Sequence, residues 1–232
     1  MLQHTSSPLL RSVVAAVGCA TATAAIVLIW ALRGQVDRAV YVSELGADGE
    51  PTAALFEVAL LLVVLGGACV AWAGRGVRAS VRLLGALTVS TSIGVAAALF
   101  LVASQVPCTA GCPLPVGPSA TLQDAVHTSS AVLAFAAACV AMLQASFAAG
   151  HRALRVLSMS CGLLVALVAA AGGVLSLLRF ATEVGGVLEF VATSVAICWL
   201  VVFGGSTVAR AGRPATPVVA PGPRRAAAPT AA

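Results

Sequence analysis

The chain has 232 residues, of which 60% are hydrophobic and 9% charged, and its net charge of +5 comes from arginine with no lysine present. A soluble domain carries about 25% charged residues, so a chain this apolar cannot cover a water-exposed surface and reads as an integral membrane protein. The arginines flank apolar runs and are not interleaved with aromatic residues. That pattern speaks against a nucleic-acid partner and for contact with anionic headgroups of a lipid bilayer.

Six apolar runs fall at about 13–32, 55–73, 83–104, 126–148, 155–178 and 187–209, each nearly free of charge over its middle. A span needs roughly 20 apolar residues. In lipid every backbone amide must be paired within its own segment, so runs of this length are helices. A small barrel would instead need alternating segments of about ten residues. The expected fold is therefore all-α, a polytopic bundle of six transmembrane helices over residues 1–210. What remains is short loops and a tail at 211–232. The tail is rich in Ala, Pro and Arg, without periodicity, and is expected to be disordered in the cytoplasm.

In chain order, the first run is longer than a secretory core of about 7–15 residues and is expected to stay in place, although Ala16-Val17-Gly18-Cys19 faintly resembles a lipoprotein cleavage box. Loop 1 follows and is the longest and most polar. It holds Tyr41, Ser43-Glu44-Leu45-Gly46 and the Asp48-Gly49 turn signal. Thr52 stands where it can cap span 2. Glu57 lies within the first turn of that span, where the helix dipole stabilises a carboxylate by about 0.3–1 kcal/mol. In span 3, Ser90, Thr91 and Ser92 can bond back to their own helix.

Loop 3 carries Cys108 and Cys112, the two cysteines outside the spans. Three readings are open for them: a structural disulfide closing a small loop, free thiols, or metal ligands. A lone CxxxC is a weak metal signal because a closed zinc site takes four ligands. The other five cysteines read as small apolar fillers.

Span 4 opens with Asp124 and His127, three apart and so on one helix face. The pair can be a purely structural N-terminal anion beside an imidazole. It can belong to a metal or ligand site, or the carboxylate can orient a base. His127 is the one histidine at a span, since His4 and His151 lie at the opposite end, and a bis-histidine haem is not expected. Span 6 opens with Glu183 and then Glu189, just inside the apolar run. A charge at that depth needs a partner, and Arg33, Arg38 and Arg179 are the cations on its side. The Gly-Gly pairs at 66–67, 172–173, 185–186 and 204–205 permit close helix approach.

The charges divide by side. All eight acids, Asp37, Glu44, Asp48, Glu50, Glu57, Asp124, Glu183 and Glu189, fall at one end of the six spans, together with three arginines. The other ten arginines fall at the opposite end with no acid. Arginine and lysine are retained in cytoplasmic loops, so both termini are expected inside, and Trp30 and Trp72 sit at opposite span ends as interfacial belts prefer. No P-loop, GxSxG or HExxH motif is present. No Asp, Glu, Lys or Arg lies at mid-membrane depth, which argues against an ion-coupled pump and leaves a facilitator open.

Four short motifs carry a family resemblance: Ser43-Glu44-Leu45-Gly46, the Pro-Cys…Cys-Pro of residues 107–113, Asp124-x-x-His127, and Gly186-x-x-Glu189. With the number, order and spacing of the spans over roughly residues 10–208, the chain resembles the domain of unknown function 998 family of six-helix prokaryotic membrane proteins. The resemblance implies a six-helix fold and a bacterial plasma-membrane setting, and no activity. A basic residue is expected after the span 6 glutamate in that pattern, and this chain has Phe190 there.

Ser43, Glu44, Glu57, Asp124, His127 and Glu189 are the polar residues nearest the span ends on the acidic side. They are expected to converge in an outer-face pocket. Three uses are open for it. The first is binding of a lipid, small molecule or protein partner, with no cofactor and no recognisable catalytic motif. The second is metal-assisted hydrolysis of lipid headgroups, with Asp124, His127 and glutamates holding zinc and activating its water. The third is facilitative transport.

Overall fold

The computed structural model describes residues 7–118, 120–149 and 152–211. The expected tail lies outside these residues apart from Ala211, as do His4 and His151. Six α-helices follow the six apolar runs: α1 (Pro8–Arg33), α2 (Ala53–Ala73), α3 (Val89–Gln105), α4 (Leu122–Ser146), α5 (Arg152–Leu177) and α6 (Thr182–Ala211), with a short 3-10 turn at Ser43–Gly46 in loop 1. No strand occurs among the described residues, only a single bridge between Ala79 and Ala148. Five helices are long and apolar enough to cross a membrane, and α3 is shorter, at 17 residues.

Each helix packs on its neighbours in chain order, α6 closes back onto α1, and α2 touches α6 across the middle. Short connections leave consecutive helices no alternative but to lie antiparallel side by side. Small residues set the closest approach. A Cβ on Gly66 of α2 would stand 3.0 Å from the Gly18 carbonyl of α1 and 3.1 Å from Ala22. One on Gly67 would stand 3.2 Å from Ala97 of α3. Where no hydrophobic force separates helix from lipid, this backbone-to-backbone fit is what holds helices together.

The acids collect where α2, α4 and α6 begin. The arginines collect where those helices end. Two of them satisfy the carbonyls that a helix C-terminus leaves unpaired. Arg11 donates to the Ala73 carbonyl at 2.7 Å and to Arg75 at 3.0 Å, capping α2. Arg155 donates to the Ser146 carbonyl at 3.0 Å, capping α4.

Three local expectations need correction. Span 3 begins at Val89 rather than near 83, because Thr88 caps the helix by accepting from the Thr91 amide at 3.0 Å. The leucines before it belong to an irregular segment that Gln144 of α4 holds through the Leu84 and Leu87 carbonyls. Thr52 makes no side-chain cap on α2; its hydroxyl donates instead to the Leu45 carbonyl at 2.7 Å. Ser92 does not bond back to its helix but donates to Gln144 at 2.9 Å, and the Ser90 hydroxyl is buried without a partner.

Replacing Gly66 with valine should drive α1 from α2 and lower stability by about 1–3 kcal/mol. Gly205→Ala, at a position open to space, should change it little. Unfolding midpoints in mixed detergent measure both, and equal midpoints would count against the close crossing.

Candidate functional site

Loop 1 returns from α1 and lies directly on the start of α6. The contact requires glycine. A Cβ on Gly186 would fall 2.6 Å from the Val40 carbonyl oxygen, and one on Gly185 would fall 2.5 Å from the Tyr41 hydroxyl. The Gly185-Gly186 pair therefore receives loop 1, and α5 approaches it as well, since a Cβ on Gly172 would fall 3.5 Å from the Gly185 carbonyl. The Tyr41 hydroxyl is buried there without a hydrogen-bond partner. This docking carries the Val42 amide to Glu189, to which it donates at 2.9 Å. The amide and hydroxyl of Ser43 face the same carboxylate.

Among the described residues Glu189 thus has no arginine partner, although Arg33, Arg38 and Arg179 stand at its end of the bundle. Arg38 is held by Glu44 at 2.6 Å and Glu50 at 2.7 Å, and its hydrogen bond to Glu44 raises the guanidinium pKa above its ordinary value. Arg33 donates to the Val36 carbonyl at 2.7 Å and lies 5.9 Å over the Phe190 ring. Phe190, at the position where a basic residue was expected, is the aromatic platform for that arginine and packs 5.5 Å from Trp30. Backbone donors stand in the place of a cation here, because a hydrogen bond from an N–H to an ionised carboxylate is stronger than one between neutral groups.

Loop 3 closes the same end. The Asp48 amide donates to the Cys108 carbonyl at 2.9 Å. Gln123 clips both loops, reaching Asp48 at 2.8 Å and the Pro107 carbonyl at 2.7 Å. Asp124 is fully buried and saturated. It accepts from the Thr109 amide at 2.8 Å and hydroxyl at 3.0 Å, and from the Thr121 hydroxyl at 2.6 Å and amide at 3.1 Å. With Thr121 it forms a capping box that starts α4.

Asp124 does not meet His127. The His127 Nδ1 faces two carbonyls at the end of α3, Ala103 at 3.0 Å and Val106 at 2.8 Å. Both are acceptors, so Nδ1 carries a hydrogen, and in that tautomer the lone pair is on Nε2. The shared helix face noted in the sequence is real, but the two side chains serve different loops. A ring nitrogen of His127 and the sulfurs of Cys108 and Cys112 lie within 4.8 Å of one another, and the two sulfurs are at bonding distance.

Beneath these loops a cavity of about 100 Å³ runs between α2, α3, α4 and α6, with one contact from α1 and none from α5. On α2 it extends from Phe56 to Gly67 and on α6 from Glu189 to Leu200. That is about 16 Å at 1.5 Å of rise per residue. Its walls are almost wholly apolar, and Ser43, His127 and Glu189 form the polar group at the loop end. Of the six residues expected to converge, these three line the cavity. Glu44 pairs with Arg38 instead, Glu57 is exposed and accepts from Gln105 at 3.3 Å, and Asp124 is enclosed by threonines.

The sequence reading missed Thr109, Thr121 and Gln123. Thr121 three residues before Asp124 was a visible capping signal, with Asp in place of the usual Glu or Gln. Thr109 and Gln123 left no trace because their partners lie across loop contacts. The chain belongs to the family described as "Protein of unknown function (DUF998)", whose model matches residues 13–206. No curated protein and no solved structure matches the chain.

Asp124→Ala should remove both the α4 cap and the tie to loop 3. It should cost about 2 kcal/mol or more, whereas Glu57→Gln on the surface should cost less than about 0.5 kcal/mol. The comparison of chemical unfolding midpoints decides it: similar losses in both would show that Asp124 does not hold the loop.

Proposed function

We propose that this member of the DUF998 family is a plasma-membrane binding protein for one small, slender, mainly apolar molecule, such as a short alkyl chain bearing a small polar head. The observation that carries this reading is the lopsided cavity, mainly apolar along its length, with Ser43, His127 and Glu189 at one end and Thr193 one turn further in. Membrane-embedded space of this shape suits a ligand that arrives from the lipid. The polar end offers acceptors: the Glu189 carboxylate, whose roughly four lone-pair sites are taken only in part by the Val42 amide and by Ser43, and the Nε2 of His127. Their complement is a donor, so the head is a hydroxyl or an amine.

The same reading places both termini in the cytoplasm and the acidic end outside. Ten arginines against three support that orientation, and so does a cysteine pair at the end that then faces an oxidising compartment. On that side the pair forms a disulfide. Residues 1–210 act as one membrane domain. The hydrolase reading has less support, because it asks Asp124 and His127 to ligate one metal while Asp124 is surrounded by threonine donors. Facilitative transport asks for a polar path, and the far part of the cavity is walled by Ile197 and Leu200.

A photoactivatable short-chain alcohol or alkylamine, applied to native membranes, should label α2, α4 and α6. Ala131→Trp, which fills the cavity, should cut labelling at least tenfold, and Leu133→Trp on the exposed face of α4 should not. Glu189→Gln should weaken the amine more than the alcohol by about tenfold, the equivalent of one charge-assisted hydrogen bond. Equal labelling of the wild type and Ala131→Trp would overturn the cavity as the site. Orientation is read separately: a cysteine placed at Gly49 should react with an impermeant maleimide on intact cells, and protection of that residue would reverse the assignment.

A further inference from the structure

We propose that Cys108 and Cys112 form a reversible, redox-active disulfide that exchanges with an external dithiol, with His127 beside the buried sulfur. Exchange here needs no ligand in the cavity, so this proposal and the binding reading can fail separately.

The cross-link is poorly suited to holding the fold. The stability gained from a disulfide grows with the logarithm of the loop it closes, and this one joins residues only four apart. Loop 3 is already held by Asp124, by Gln123 and by the Asp48 amide. Closing the small ring also takes the chain through the left-handed region twice, at Gly111 (φ 76°) and at Cys112 (φ 45°). Glycine accepts that conformation without strain, and cysteine does not. Opening the ring frees Cys112 to relax. Strained and accessible disulfides are the labile ones, with regulatory or catalytic roles.

The surroundings of the two sulfurs differ. Cys108 is fully buried and Cys112 is partly exposed. A ring nitrogen of His127 lies within 4.8 Å of both, and the ring is held in place by the Ala103 and Val106 carbonyls. The Cys108 sulfur also lies 3.8 Å from the Ser43 carbonyl, a distance at which a thiol there can donate. The exposed Cys112 sulfur is the point of attack, because an external thiolate can reach it and cannot reach the buried Cys108.

In the exchange, a thiolate of the dithiol attacks the Cys112 sulfur. The Cys108–Cys112 bond breaks, a mixed disulfide forms at Cys112, and the electron pair goes to the Cys108 sulfur, which takes a proton from water or the proton that the lone-pair nitrogen of His127 has accepted from the attacking thiol. The second thiolate of the dithiol then attacks its own sulfur in the mixed disulfide and expels the Cys112 thiolate. The dithiol loses two electrons and two protons, and the cysteine pair gains them. Reduction turns Cys108 into a donor toward Ser43, which links the state of the pair to the residue facing Glu189.

The experiment uses the full chain in native membranes, dithiothreitol and glutathione as probes, and thiol alkylation with a mass tag as the readout. The pair should be reduced by dithiothreitol while the protein remains folded. With Cys108→Ser, oxidised glutathione should attach to Cys112, and with Cys112→Ser the buried Cys108 should take it up at least tenfold more slowly. His127→Gln, which keeps a donor to the two carbonyls, should slow reduction of the pair about tenfold without lowering the unfolding temperature. The Cys108→Ala/Cys112→Ala double variant should also keep its unfolding temperature. A pair that resists dithiothreitol until the chain unfolds, a reduction rate unchanged in His127→Gln, or a large loss of stability in the double variant would each overturn the proposal.

Discussion

The contact on which the loop end of the bundle depends is the seating of loop 1 against the glycine pair of α6. Two residues without side chains let the backbone at Val40 and Tyr41 come within touching distance of a helix. That approach delivers the Val42 amide to Glu189, gives a carboxylate near the membrane interface a donor, and sets Ser43 beside it. A methyl group at Gly186 would separate the loop from the helix. The carboxylate would then lose its main-chain donor, and a charge left unpaired near lipid is costly. The mouth of the cavity, its polar character and the position of the Cys108 sulfur near Ser43 all follow from that one approach.

The separation of charge along the bundle has a second physical reason besides topology. Helices α2, α4 and α6 begin at the acidic end and finish at the arginine end. Carboxylates are stabilised at helix starts and guanidinium groups at helix ends. Asp124 in its capping box and Arg11 on the Ala73 carbonyl are the two forms this takes. The division of charge along the bundle and the satisfaction of helix ends therefore meet on the same residues, as at Asp124 and Arg11. An arginine counted as a topology determinant is also one whose donors close a helix.

The polar residues at the loop end divide by task. Asp124 is enclosed by four hydrogen bonds from two threonines and has its work within the fold. Glu44 is bound to Arg38, and Glu57 stands at the surface. His127 and Glu189 differ because each is anchored on one side by backbone and faces the cavity on the other. A group held in this way is oriented without being used up, and that distinguishes a candidate ligand contact from a structural one.

The helices, their number and order, and the end at which the acids gather were all determined by the sequence alone. Apolar length and the need to pair every amide within a span leave one solution for such a chain. The start of α3 was not legible in the same way, because Leu83, Leu84 and Leu87 are as apolar as a span, and only Gln144 from another helix shows that they lie in a loop. The site was legible as a set of residue types at one end, including Ser43, His127 and Glu189, but not as an arrangement. Its partners are backbone atoms: the Val42 amide, the Ala103 and Val106 carbonyls. Every residue has an amide and a carbonyl, so these partners have no signature in the sequence. Which of them meets which side chain is decided by how closely helices and loops can approach, and that exists only once the chain is folded.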